Sequence, residues 1–168
     1  MAELRSIGLT SIEFGDIAGD GDMGQNLSAL GVTYQDTAEL VRDDPEITEI
    51  YSEENDEPEE VVEVKGPARL RFSILNIDPT TAVRILGGEV ALDGSYEAPV
   101  AKEPVEQSCR IITKTGLQID IPRVKLYAKE NFQFRKKGVL LIDIEGRILT
   151  PTKSGIPPIK WANTKNDT

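Results

Sequence analysis

The sequence predicts a mainly β protein: a β-sandwich or partly open β-barrel with one short α-helix at about residues 79–86. Three observations predict it. Apolar and polar residues alternate at period two in several separate stretches, as strands with one buried face require. One segment, Asp78 to Gly88, shows helical spacing instead, with its own start and stop signals. The 14 Gly and 10 Pro fall largely between these stretches, where turns are needed.

In chain order, Ser6 to Phe14, Thr37 to Arg42, Glu46 to Ser52 and Glu59 to Lys65 are strand candidates. Ala68 to Ile77 is the clearest. Ala68, Leu70, Phe72 and Ile74 share one face, and Arg69, Arg71 and Ser73 the other, which places the two arginines on an exposed sheet face. The helix follows. Asp78 can cap it, Pro79 suits the first helical position and Gly87-Gly88 can end it. Ala82, Val83, Ile85 and Leu86 give it an apolar face. A lone helix among strands is expected to cover an open face or end of the sheet.

Gln107 to Thr113 and Leu117 to Ile121 flank a tight turn at Thr115-Gly116, and Val124 to Lys129 continues the pattern. Across Pro122 the apolar phase changes from Leu117, Ile119 and Ile121 to Val124 and Leu126. Proline cannot donate to a ladder, so a bulge or an edge crossing is expected there. Gly138 to Leu149 is the last strand, with Leu140, Ile142, Ile144 and Ile148 inward and Asp143, Glu145 and Arg147 outward. Gly15 to Gly31 reads as a flexible loop, Asp93 to Pro104 as irregular, and Pro151 to Thr168 as an extended C-terminal arm. The 168 residues fit a single domain, 1–168.

Charge is distributed unevenly. Residues 1–64 carry eighteen acids against two bases, Arg5 and Arg42, whereas residues 108–160 carry eleven bases against four acids. The run 43–64 alone holds eleven carboxylates and no Lys or Arg. Two readings follow. The unlike parts can neutralise each other within one monomer, or they can dock identical copies head to tail. Head-to-tail contacts are heterologous and either close into rings or propagate as filaments.

The acidic run reads as a hairpin, 43–64, in which Glu46 to Ser52 and Glu59 to Val64 flank a tip of Glu53, Glu54, Asp56 and Glu57. Carboxylates on facing strands would oppose its folding by a few tenths of a kcal/mol each. One reading is a solvated edge whose charges block aggregation. The other is a wall that repels a polyanion, because it offers no cation to replace the polymer's counterions.

Little in the sequence points to catalysis. The absence of histidine removes the His-dependent triads and the commonest general base near neutral pH, so no enzyme activity and no cofactor are expected. The single cysteine, Cys109, lies among apolar residues and reads as a buried, inert thiol. Asp20-Gly21-Asp22-Met23-Gly24 lacks the third acidic ligand and the terminal Glu of a calcium loop, so no metal is expected. A sugar-binding or hydrolytic sandwich is disfavoured by 5% aromatics and one tryptophan, Trp161. Arg135-Lys136-Lys137-Gly138 could touch phosphates, but at a net charge of −10 it reads better as a hairpin end or a patch for another subunit's carboxylates. No apolar run has the length of a membrane span, and no signal-like start is evident. Synthesis in a cytoplasm and no membrane partner are therefore expected.

From about Thr37 to Pro158 the order of elements resembles that of phage tail tube proteins. A strand pair with an acidic tip leads into Gly66-Pro67-Ala68-Arg69-Leu70-Arg71-Phe72-Ser73-Ile74 and a short helix ending in Leu86-Gly87-Gly88-Glu89-Val90. Strands around Lys114 to Val124 follow, then a closing strand with Leu149-Thr150-Pro151-Thr152-Lys153-Ser154-Gly155-Ile156-Pro157-Pro158. The resemblance implies a structural subunit whose sheets join edge to edge into hexameric rings. Those rings stack into a virion tail tube, a fold shared with type VI secretion and contractile injection tubes. Its implied partners are further copies and other tail proteins, with DNA passing through unbound. Loop 15–31 and arm 151–168 would tie ring to ring. Glu46, Glu49, Glu53, Glu54, Asp56, Glu57, Glu59 and Glu63 become candidates to face an acidic lumen, and Arg135, Lys136, Lys137 and Trp161 candidates for subunit contacts. The competing expectation is a β-sandwich adaptor, or a tail- or head-completion protein, that binds one different protein.

Overall fold

The computed structural model describes residues 7–75, 78–101 and 105–164. Within them the strands are β1 (Ser11–Gly15), β2 (Ser28–Ala29), β3 (Glu39–Arg42), β4 (Glu46–Ile50), β5 (Glu60–Val64), β6 (Ala68–Ile74), β7 (Glu89–Val90), β8 (Tyr96–Glu97), β9 (Val105–Ile112), β10 (Leu117–Phe132), β11 (Leu140–Ile148) and β12 (Lys160–Asn163). Helix α1 (Pro79–Leu86) lies between β6 and β7. The expected mainly β architecture with one short helix is present. Ser6, Asn76, Ile77 and residues 102–104 and 165–168, which fall in expected elements, lie outside the described residues.

Eight strands form one antiparallel sheet in the order β2-β1-β9-β10-β11-β6-β3, with β12 added to β10. The sheet is not closed into a barrel. It folds over on itself as a sandwich does: Phe14 of β1 and Phe72 of β6, four places apart in strand order, stack with ring centroids 5.8 Å apart. Around this pair Leu70, Ile74, Ile121, Val124, Ile142 and Ile144 are nearly fully buried. Each such side chain contributes about 1.5–3 kcal/mol of burial free energy.

β10 makes the fold-over possible. Its first residues pair with β12 on one side and β9 on the other, and its later ones pair with β11 from Val124 to Phe132. The register against β9 shifts between Ile121 and Val124, which is the bulge expected at Pro122. The two strand candidates on either side of that proline are one continuous strand. Gly146 of β11 lies opposite Leu126, and a Cβ there would come within 2.6 Å of Val124 Cγ1. The side chains of the two adjacent strands, Val124 and Leu126 of β10 and Leu70 of β6, fill the space a side chain would take there.

Two local expectations fail. Leu140, read as inward, is 39% exposed at the start of β11, opposite Phe132, where the sheet runs beyond its second layer. Asp78 occupies the N-cap position but makes no side-chain capping bond. The helix start rests on Pro79, and its end on Gly87, which takes φ 78° and donates its N–H to Val83 O. Helix α1 packs on the sheet against β9 and β10, with Ile85 in the core. Thr81 Oγ1 donates to Leu30 O, and the Arg84 guanidinium donates to the carbonyls of Phe14, Ser28 and Ala29.

Candidate assembly surfaces

The acidic run folds as the β4–β5 ribbon, an outgrowth of the sheet margin. β3 pairs with β6 from Arg42↔Ala68 to Glu39↔Arg71, and the same two chain segments then continue as β4 and β5. Between the two ladders lies a hinge. Asp43 N–H donates to Pro67 O at 3.0 Å, Arg42 Nη1 donates to Gly66 O at 2.8 Å, and Arg69 pairs with Asp43 at 2.8 Å. A Cβ on Gly66 would sit 2.1 Å from Asp43 O, so only glycine fits this crossing.

Every residue of β4 and β5 is exposed, on both faces of the ribbon. The register pairs Glu46 with Val64, Ile47 with Glu63, Glu49 with Val61 and Ile50 with Glu60. No carboxylate lies directly opposite another. The expected repulsion across the strands is thereby avoided, because each acid faces an apolar partner. Pairing places Glu46 and Glu60 on one face with Ile50, Val62 and Val64. It places Glu49 and Glu63 on the other with Ile47 and Val61. Glu53, Glu54, Asp56 and Glu57 occupy the exposed turn. Glu59 accepts from Ser52 Oγ and Asn55 Nδ2, and the Asn55 bond, followed by the Ser52 one, holds its carboxyl below the ordinary range. Tyr51 donates its hydroxyl to Glu49, which raises the phenol's pKa. The eight lumen candidates thus share one ribbon but not one face.

Arg135, Lys136 and Lys137 form the exposed tip between β10 and β11. Among the described residues no carboxylate lies within ion-pair distance of them. Phe134, 84% exposed, meets the edge of Phe132 with centroids 6.3 Å apart. This aromatic pair beside the cations was not singled out from the sequence, although Phe132 and Phe134 straddle one residue just before them.

Trp161 lies on β12 opposite Ile119 and is 70% exposed. With Leu40, Val41, Ala68, Leu117 and Ile159 it lines an apolar notch of about 350 Å³ between β12 and the margin strand β3. The structure therefore separates the four contact candidates: three on the β10–β11 tip, one beside the notch. β12 itself lies inside the segment read as an arm, and pairing with β10 returns that segment to the body.

Loop 15–31 and the C-terminal segment are tied to each other. Lys153 Nζ lies 2.8 Å from Asp20 Oδ2 and 3.0 Å from Asp22 Oδ2, so an ammonium occupies the place between these two aspartates. Gly24 N–H donates to the buried Ser108 Oγ, which donates in turn to Pro122 O. Among the described residues no group of three or more His, Cys, Asp and Glu could hold a metal ion. No helix there is long and apolar enough to cross a membrane. Cys109 is fully buried on β9, and that burial pushes its thiol pKa far up.

No protein-family model matches the chain, and no curated protein matches it.

Proposed function

We propose that this chain is a structural subunit of a phage tail tube, assembling with copies of itself into stacked hexameric rings around an acidic bore. One observation carries the reading. The antiparallel sheet is left open, and its margin strand β3, which among the described residues pairs with β6 alone, grows into a ribbon exposed on both faces. An unpaired margin is a template for another chain, and a ring satisfies every such margin at once. The apolar notch under Trp161 flanks the same margin, so a neighbouring copy pairing there would cover it. The acid-rich ribbon supplies a surface on which DNA would not lodge. On this reading the protein acts in the virion tail after synthesis in the host cytoplasm. It contacts itself and other tail proteins, with no catalytic role and no cofactor.

The test is negative-stain electron microscopy of the concentrated protein. Annular particles with a central hole, or tubes, are the expected result. Discrete small complexes that form only with a different protein would replace this reading by the adaptor.

A further inference from the structure

The register places the ribbon and the cationic tip at opposite ends of one sheet. β6 pairs with β11 from Ile74↔Ile142 down to Arg69↔Arg147. The ribbon leaves beyond Ala68, at the Arg147 end, while the β10–β11 tip lies beyond Ile142, at the Ile74 end. β6 alone separates them by roughly 20 Å at about 3.3 Å per residue. They leave the sheet at opposite ends, and among the described residues no ion pair joins them.

The two ends are nevertheless matched. The ribbon segment 43–64 holds eleven carboxylates and no base. Exposed apolar side chains, Ile47, Ile50 and Val62 among them, lie between its acids. The tip offers three cations beside the exposed aromatic pair of Phe132 and Phe134. Each is an apolar patch rimmed by charge, and the charges have opposite sign.

We propose that the β4–β5 ribbon of one copy docks on the β10–β11 tip of the next, end to end along the strand direction. Such a contact is heterologous, and aligned end to end along the strand direction it propagates from copy to copy as an open stack. Its place between successive rings rests on the tube reading. Three cations can neutralise only some of the ribbon's carboxylates, so the remainder still carries negative charge toward the bore.

Two charge-reversed full-length proteins test it. One carries Arg135→Glu, Lys136→Glu and Lys137→Glu, so both of its ends are acidic. The other carries Glu53→Lys, Glu54→Lys and Glu57→Lys, which turns part of its ribbon basic. Sedimentation velocity across a concentration series, with circular dichroism to check folding, is the measurement. Each variant alone should associate at least about tenfold more weakly than the parent, the loss of three exposed charge pairs. An equimolar mixture should recover association, because each variant's reversed end then meets a complementary one. Variants that assemble like the parent, a mixture as dispersed as its components, or a parent that stays monomeric at its solubility limit would overturn the docking. Electron microscopy of the same samples separates the two proposals. Rings that stack for the parent and stay single for each variant support both. End-to-end fibres without rings keep the docking and remove the tube, whereas rings and stacks untouched by either reversal keep the tube and remove the docking.

Discussion

Ser108→Ala probes the junction on which loop 15–31 depends. Ser108 is 0% exposed. Its Oγ accepts the Gly24 N–H at 2.9 Å and donates to Pro122 O at 2.8 Å, at the bend of β10. Alanine removes both bonds, and burial keeps solvent from replacing them. An orphaned buried backbone group costs about 1–3 kcal/mol, so two cost about 2–4 kcal/mol once partial relaxation is allowed. For a domain of this size each kcal/mol lowers Tm by about 2–4 °C, and a fall of about 5–15 °C is expected. Circular dichroism melts give the Tm, and hydrogen exchange follows the Gly24 amide, which should lose protection well before the strands. A Tm within about 2 °C of the parent, with that amide still protected, would refute the reasoning.

Three further outcomes are expected. Lys153→Met should lower stability in the neutral range only. The Lys153 hydrogen bond foremost for Asp20, and the Met23 amide followed by Lys153 for Asp22, lower these carboxyls below 3.8, while the Asp20 bond first raises Lys153 above 10.5. Lowered acids lose their contribution as pH falls through their folded values, and a raised lysine loses its own as pH rises through its folded value. The difference from the parent should therefore hold between about pH 5 and pH 9 and fade toward both extremes, as read from urea unfolding at each pH. Cys109 should react with a thiol reagent only as fast as the protein unfolds, because burial holds it as the neutral thiol; a rapid, stoichiometric reaction in native buffer would contradict this. Replacing Glu46–Val64 with a short Gly-Ser linker should leave Tm within a few degrees, since β4 and β5 bury nothing against the body, while weakening self-association in sedimentation.

Much of the fold was legible because period-two alternation reports burial directly. Ala68, Leu70, Phe72 and Ile74 are buried as their spacing requires, and helix α1 keeps its expected bounds. The phase change at Pro122 announced the bulge. What could not be read were features set by distant partners. β12 has no alternation of its own and exists because β10 offers it an edge. The inward role of Leu140 failed because alternation cannot say where the opposing layer stops. Sequence composition marked the ribbon as acidic, but only the register shows that the four glutamates within its strands each face an apolar residue and divide over two faces.

The order of pairing along the chain has a consequence for synthesis. β9, β10 and β11 are consecutive, and each closes on the next through a short connection. β1 and β6, by contrast, must wait for β9 and β11, which are translated many residues later. Early contacts of low sequence separation form fastest, so the meander of residues 105–148 should gain exchange protection first in pulse-labelled refolding. Until it emerges from the ribosome, β1 has only β2 and β6 only β3 beside it, and the open side of each is prone to stick to strands of neighbouring nascent chains. The preponderance of acids in residues 1–64 then acts as a spacer, holding unfinished chains apart until each can complete its own interior.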